Sequence, residues 1–135
     1  MNSRTADNHN KILIIDDSPT ILQLLRLSLE KDTDFEIFTA QSPDDAFNTL
    51  ASHDIHLVIC DIMLKSPNAK SGYHLLRKIK ESPDYAHIPV ILMSGTRTNR
   101  MAQTTAHHLG ADAFLKKPFL NEELIACVRR ALRAS

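Results

Sequence analysis

The chain has 135 residues, with 16 basic and 16 acidic side chains, so its formal net charge at neutral pH is zero. A chain of this length is expected to form one domain, and balanced charge excludes a broad electrostatic attraction to nucleic acid or to an anionic membrane. Its three glycines, Gly72, Gly95 and Gly110, lie too far apart to build a glycine-rich nucleotide loop. Any phosphate chemistry must therefore depend on other groups.

The polar amino-terminal residues, the short apolar runs and the cysteines favour an intracellular protein. Residues 1–10 are polar and contain no apolar segment of a secretory signal, so we expect a flexible tail followed by a single domain over residues 11–135. The longest apolar runs, such as residues 12–15, are far shorter than the roughly 20 residues that cross a bilayer. Cys60 and Cys127 lie in apolar surroundings, which favours buried free thiols and predicts a cytoplasmic location.

The first half of the chain alternates two kinds of pattern. A first strand is predicted over residues 11–15, because residues 12–15 form a continuous apolar run, which is typical of a strand covered on both faces. Ser18 is a good N-cap and Pro19 fits a first turn, so a helix is predicted to begin there. Its apolar residues recur at helical spacing: Ile21, Leu24, Leu25 and Leu29. A second strand is predicted over residues 35–40, a second capped helix over residues 42–52 and a third strand over residues 56–60.

The second half continues the alternation. After a polar stretch at residues 65–71, a third helix is predicted around residues 73–79 and ends before Pro83. A fourth strand over residues 88–93 leads into a fourth helix that Gly110 ends as a C-terminal cap. Residues 113–116 form a fifth strand. The last helix begins at Asn121, with acidic residues in its first turn and arginines near its end, which suits the helix dipole.

Five strands and five helices in strict alternation predict an α/β fold with a parallel sheet, helices on both faces and right-handed crossovers. In such sheets, ligands bind beyond the carboxyl ends of the strands. The strand ends are therefore the place to look for chemistry.

Charged and polar side chains follow four of these strands. Asp16 and Asp17 follow the first strand, Asp61 the third, Ser94 the fourth and Lys117 the fifth. Three clustered carboxylates repel one another unless a cation is present, and oxygen ligands of this kind suit Mg²⁺. A carboxylate such as Asp61 can attack a phosphoryl group, whose charge Mg²⁺ and Lys117 would neutralise. Ser94 can donate a hydrogen bond to a phosphate oxygen.

In this order and at these strand ends, the residues resemble the response-regulator receiver domains of two-component signalling, and the resemblance runs from Lys11 to Phe119. It implies a flavodoxin-like (βα)5 fold, in which a doubly wound five-stranded parallel sheet has the strand order 2-1-3-4-5. It also implies a stand-alone receiver similar to the chemotaxis regulators. Such a domain is not an enzyme in the ordinary sense, because at most it catalyses its own phosphorylation and dephosphorylation.

The resemblance implies a role for each matched acidic residue. Asp61 is expected to accept the phosphoryl group, and Asp16, Asp17 and Asp61 are expected to hold Mg²⁺. Among these, Asp17 is expected to be the more direct ligand of the metal. The backbone carbonyl of Met63 is also expected to bind the ion.

The resemblance extends to the remaining strand ends. Ser94 and Lys117 match the family's hydroxyl and lysine, and Phe114 matches its aromatic switch position. Phosphorylation is expected to draw Ser94 inward and to let Phe114 repack. The peptide bond between Lys117 and Pro118 matches one that is usually cis.

The same resemblance implies partners. A histidine kinase or a histidine phosphotransfer protein is expected to supply the phosphoryl group and to dock on the first helix around Ile21 and Leu24. A downstream protein is expected to bind the face made by the fourth helix, the fifth strand and the fifth helix (the α4–β5–α5 face). No direct binding to nucleic acid or membranes is expected, and the chain is expected to be a monomer or a weak homodimer.

The chain departs from the family in one segment. Lys65 stands where a proline is usual, and Gly72 lies 11 positions after Asp61, later than the family's usual glycine. An insertion is therefore predicted within residues 65–71, which puts partner recognition and the dephosphorylation rate in question.

Other functions fit the sequence less well. The insertion keeps open a receiver-like adaptor that works without phosphorylation. A haloacid-dehalogenase-like phosphatase would need an aspartate where Met63 stands, and the acidic strand ends would repel a flavin phosphate. Leu92 replaces the first glycine of a serine-hydrolase elbow, and the seven histidines lack zinc-ligand spacing.

Overall fold

Strands and helices alternate along the whole described chain, in a computed structural model that describes residues 10–31, 33–64, 72–95 and 100–134. The strands are β1 (Lys11–Ile15), β2 (Glu36–Ala40), β3 (Leu57–Asp61), β4 (Val90–Ser94) and β5 (Ala113–Lys116). The helices are α1 (Pro19–Glu30), α2 (Pro43–Ser52), α3 (Gly72–Glu81), α4 (Arg100–His108) and α5 (Asn121–Ala134). Residues 1–9 of the predicted tail and the predicted insertion at residues 65–71 lie outside the described residues.

All the strands pair in parallel, in the order β2-β1-β3-β4-β5. This order confirms the predicted doubly wound α/β fold. The third and fourth strands lie slightly later in the chain than predicted, because Asp61 pairs with Met93 and Ser94 pairs with Lys116 in the sheet. Asp61 and Ser94 are thus the last residues of their strands, where the backbone is still held by neighbours.

Serine caps fix where the first two helices begin. The Ser18 hydroxyl accepts a hydrogen bond from the Ile21 N–H at 3.3 Å, and the Ser42 hydroxyl accepts one from the Asp45 N–H at 3.2 Å. Each cap satisfies a donor that the first helical turn would otherwise leave unpaired. These contacts confirm the predicted helix starts.

The strands carry apolar side chains on both faces, so the sheet has two cores. One core packs beneath α1 and α5 and includes Ile12, Ile14, Leu57, Ile59 and Ile91. The other packs beneath α2, α3 and part of α4 and includes Leu13, Ile15, Val58, Leu92 and Leu76. Burial on both faces explains why β1 has consecutive apolar residues rather than apolar and polar residues in alternation.

Helix α1 does not bury every leucine that its spacing predicted. Leu22, Leu25 and Leu29 face the core, whereas Leu24 is 56% exposed and Leu27 is 54% exposed. A 3.6-residue period cannot by itself distinguish a core leucine from a neighbour one step around the helix. Two large apolar side chains of α1 therefore face solvent.

The two cysteines are free and buried, as predicted, and they lie in the cores on opposite faces of the sheet. Burial raises the pKa of the Cys127 thiol, although Arg130 acts in the opposite direction. Within the described part of the chain, no helix combines the length and the apolar character that a membrane span requires.

Lys80 joins three segments at the amino-terminal edge of the sheet. Its ammonium donates to the carbonyls of Ala86 and Ile88, at 3.3 and 2.8 Å, and to Asp112 Oδ2 at 3.2 Å. Asp112 Oδ2 also accepts the N–H of Val90 at 2.8 Å. Nearby, Gly110 ends the α4 segment with φ of 100°, a conformation that side-chain-bearing residues rarely adopt.

We predict that Gly110→Ala lowers the free energy of unfolding by about 1–2 kcal/mol, because φ stays left-handed while a Cβ is added. The added atom would also lie 3.4 Å from Lys80 Cγ. Urea denaturation measures the change. Gly95→Ala is the control, since a Cβ there meets no atom of the described residues within 4 Å. Equal stability of the two variants would contradict the prediction.

Candidate functional site

Asp16 is a buried carboxylate at the carboxyl end of β1. Its side chain is 3% exposed, and its Oδ1 accepts the N–H of Ser18 at 2.9 Å. Its Oδ2 is buried and has no hydrogen-bond partner among the residues that the structure describes. A buried carboxylate oxygen without a donor is unfavourable, so this atom is suited to a cation.

Asp61 lies at the end of β3 and is held at both carboxylate oxygens. Oδ1 accepts the N–H of Met63 at 2.9 Å, and Oδ2 accepts from the Lys117 ammonium at 3.0 Å. The same ammonium lies 3.9 Å from Asp16 Oδ2. The structure therefore brings together three of the predicted residues, namely two carboxylates and the lysine that neutralises part of their charge.

The closeness of these carboxylates changes their electrostatics. The pKa of Asp16 is raised to about 6, mainly by burial and also by the neighbouring Asp61, while the Ser18 N–H and Lys117 act in the opposite direction. Burial also raises the pKa of the Cys60 thiol, with smaller contributions from the two carboxylates. The site carries more negative charge than its protein surroundings compensate.

These observations fit a divalent cation. The donors on hand are carboxylate oxygens, which are the ligands that Mg²⁺ prefers. Within the described ranges, no three His, Cys, Asp or Glu side chains form a metal-ligand group. Such a group is not required, because Mg²⁺ commonly binds one or two carboxylates and keeps several waters.

The other predicted site residues lie at the same edge of the sheet. Asp17 directly follows Asp16 and is half-buried, and Met63 has an exposed side chain while its backbone N–H contacts Asp61. Ser94 is buried at the end of β4, and its carbonyl accepts the Lys117 N–H at 2.7 Å. Core packing and the pairing register of the strands thus bring these residues to one edge of the sheet, although they are far apart in sequence.

Phe114 lies on β5, further from the carboxylates. It is half-buried and packs against the core shared with α2 and α3. A cavity of about 220 Å³ adjoins it between α4 and β5, with Ala106, His107 and Ala111 among its other lining residues. The peptide bond between Lys117 and Pro118 is cis, which confirms that prediction.

Three contacts at the site were not predicted from the sequence. The first two are the Met63 N–H on Asp61 and the Ser18 N–H on Asp16, each formed with the residue two positions on. In turns, an aspartate side chain commonly accepts the backbone N–H of the residue two positions on. An aspartate at each strand end was therefore a sequence signal for these two contacts. The third is the close approach of Gly72 to the end of β3, for which spacing gave no signal.

A model of the response regulator receiver domain matches residues 12–129. The chain belongs to this family. Among its curated relatives, the response regulator Rre1 of Synechocystis is 33% identical over 90% of this chain and 51% of the relative. The regulatory protein VanR of Enterococcus faecium is 35% identical over 92% of this chain and 50% of the relative. The receiver thus spans about half the length of the curated relatives it matches.

Solved structures agree with this assignment. A putative response regulator from Chloroflexus aurantiacus superimposes with a TM-score of 0.83 at 27% identity, over 92% of this chain and 98% of that one. The chemotaxis response regulator CheY4 of Vibrio cholerae gives a TM-score of 0.78 at 25% identity, over 90% and 97% of the two chains. The chain is therefore a receiver domain of the kind found in two-component response regulators.

We predict that Asp16→Asn stabilises the metal-free receiver at pH 7.5 by about 1–2 kcal/mol. The raised pKa means that the folded chain binds the Asp16 proton more tightly than the unfolded chain does. The stability that this proton contributes is complete below pH 3.8 and is lost as the pH rises through about 6. Asparagine is neutral at every pH and can still accept the Ser18 N–H.

Urea denaturation in the presence of a chelator measures this gain between pH 4.5 and pH 7.5. The gain should shrink as the pH falls below about 6. Asp84→Asn is the matched control, because Asp84 is exposed in the turn before β4. A gain that does not depend on pH would refute the assigned cause.

Proposed function

We propose that this receiver accepts a phosphoryl group on Asp61 from the phosphohistidine of a histidine kinase or a histidine phosphotransfer protein. The observation that carries the proposal is the double contact to the Asp61 carboxylate, from the Met63 N–H and from the Lys117 ammonium. Of the two buried carboxylates, Asp61 is the more accessible, since its side chain is 11% exposed and that of Asp16 is 3% exposed.

In the proposed reaction, a carboxylate oxygen of Asp61 forms a bond to phosphorus while the phosphorus–nitrogen bond of phosphohistidine breaks. The released imidazole takes up a proton from solvent. Lys117 places a positive charge beside the oxygens that become more negative, and the Met63 N–H fixes the orientation of the carboxylate. Catalysis of this kind depends mainly on positioning and on electrostatic stabilisation.

The groups that we propose to hold Mg²⁺ are the side chains of Asp16, Asp17 and Asp61 and the Met63 carbonyl. When bound, the ion would supply positive charge to the transferring phosphoryl group. Two features of Asp16 support this assignment: its buried Oδ2 has no hydrogen-bond partner within the described ranges, and its pKa is raised. Both features favour a further cation at this site.

We propose that phosphorylation biases the α4–β5–α5 face between two states through Ser94 and Phe114. Ser94 is buried at the same strand-end edge as Asp61, where its hydroxyl is suited to bind a phosphoryl oxygen. The cavity of about 220 Å³ beside Phe114 gives the ring room to repack. A phosphoryl group shifts this equilibrium only by binding one state better than the other.

The proposed donor docks on α1. The exposed Leu24 and Leu27 support this surface, because α1 begins three residues after Asp16 and presents two large apolar side chains to solvent. We further propose that residues 11–135 form one receiver domain that works in the cytoplasm and passes its signal to a downstream protein.

We predict that Asp61→Asn abolishes phosphorylation, because an amide oxygen is too weak a nucleophile to replace the carboxylate. Phosphoramidate with Mg²⁺ is the donor, since its phosphorus–nitrogen bond resembles that of phosphohistidine, and a phosphate-affinity gel detects the product. Asp84→Asn is the control and should be labelled like the wild type. Equal labelling of Asp61→Asn and the wild type would overturn the proposal, and an unlabelled wild type would favour the phosphorylation-independent adaptor.

Replacing the lysine of the site should slow labelling without removing the acceptor. We predict that Lys117→Gln lowers the rate constant for phosphorylation by at least about tenfold, because the developing charge loses its cation. Lys116→Gln is a closely matched control, since Lys116 is the preceding residue and is exposed. Similar rates for the two variants would show that Lys117 has no special part in the transfer.

A further inference from the structure

The first residue of α3 lies directly against the end of the strand that carries Asp61. The N–H of Gly72 donates to the carbonyl of Ile62 at 2.6 Å, and Gly72 is buried. Because Ile62 follows Asp61, this bond closes the chain between β3 and α3 at the proposed phosphoacceptor. Leu64, just before residues 65–71, is buried as well.

The space at Gly72 does not admit a side chain. An added Cβ would overlap the carbonyl oxygen of Asp61 and would lie 2.9 Å from Ile62 Cα and 3.0 Å from the Asp61 carbonyl carbon. All three are backbone atoms, so no change of rotamer relieves the overlap. Gly72 does not have the left-handed φ of Gly110, so it is the closeness of the two backbones that requires glycine here.

The same closure restrains the turn that orients Asp61. Ile62 is held on both sides, since its N–H donates to Met93 in β4 at 2.9 Å and its carbonyl accepts from Gly72. Its side chain is also buried. The next residue is Met63, whose N–H holds Asp61 Oδ1. A shift of Gly72 away from β3 would therefore be passed to the Met63 N–H and to the carboxylate it orients.

We propose that Gly72 is a positioning residue for phosphorylation, which acts through the Ile62 peptide and the Met63 N–H to hold the Asp61 carboxylate. This inference rests on the proposed function of Asp61. It also accounts for the unusual spacing between Asp61 and Gly72. The hydrogen bond from Gly72 to Ile62 forms even though the glycine lies 11 positions after Asp61. The geometry at Asp61 then depends on where the glycine meets β3 and not on the number of residues that precede it.

The decisive experiment compares Gly72→Ala with Gly95→Ala, where an added Cβ has no neighbour within 4 Å in the described part of the chain. Single-turnover labelling with phosphoramidate and Mg²⁺ gives the rate constant and the labelled fraction separately. Gly72→Ala should lower the rate constant at saturating donor by about tenfold to a hundredfold, because small displacements of reacting groups are costly. The donor concentration for half-maximal rate should change little, and Gly95→Ala should stay close to the wild type.

A role in folding alone would give a different result. Fewer chains would then be labelled, while the rate constant of the folded chains would stay at the wild-type value, and this outcome would overturn the proposal. If the wild type is not labelled at all, the proposed function fails, and the positioning of Asp61 is then judged by amide hydrogen exchange. That measurement needs no phosphoryl donor.

Amide exchange tests the closure directly. In the wild type, the Gly72 and Met63 amides should both be protected from exchange. In Gly72→Ala, the Met63 amide should exchange at least about tenfold faster, while the Ser18 amide, which is bound to Asp16, should keep its protection. If Gly72→Ala does not fold, the wild type and Asp61→Ala, which removes the acceptor of the Met63 N–H, decide the matter. Protection of Gly72 in both, with loss at Met63 in Asp61→Ala, supports the proposal, and an unprotected Gly72 amide overturns it.

Discussion

The contact between Lys117 and the two buried carboxylates is the interaction on which the site depends. Its ammonium lies 3.0 Å from Asp61 Oδ2 and 3.9 Å from Asp16 Oδ2. Two neighbouring buried carboxylates repel each other, and such a pair without a compensating positive charge would be strongly destabilising. The lysine follows β5, which lies beyond β4 from β3. The charge balance therefore exists only when the ends of β1, β3 and β5 are ordered in one sheet.

Backbone N–H groups also hold the two carboxylates whose charge Lys117 partly neutralises. Asp16 and Asp61 each accept the N–H of the residue two positions on, so each carboxylate is oriented by the chain that leaves its own strand. At Asp61 that segment is clamped a second time, between β4 and the first residue of α3. Orientation by backbone is rigid and needs no additional side chains, which suits a site where a reacting oxygen must keep one position.

The arrangement is not the most stable one that this fold permits. The raised pKa of Asp16 means that its ionised form, which predominates at neutral pH, is less favourable in the folded chain than in the unfolded one, and one of its oxygens is buried without a donor among the described residues. Local conflicts of this kind concentrate at functional sites, while the rest of the structure compensates for them. Here the compensation comes from two apolar cores, which bury Ile12, Leu13, Ile14 and Ile15 of β1 completely.

The sequence by itself determined the fold class, the strand order through the family resemblance, and the capped starts of α1 and α2. These follow from local patterns: apolar runs for covered strands, and serine with proline at helix starts. It also pointed to Asp16, Asp61 and Lys117, because the ends of parallel strands must meet at one edge. Which leucines of α1 face solvent was decided only by packing, since Leu24 and Leu25 differ by one step around the helix. The contacts of Met63 and Gly72 with the Asp61 turn were likewise decided by the tertiary structure, because they depend on how closely α3 meets β3. Spacing along a chain carries no measure of that distance.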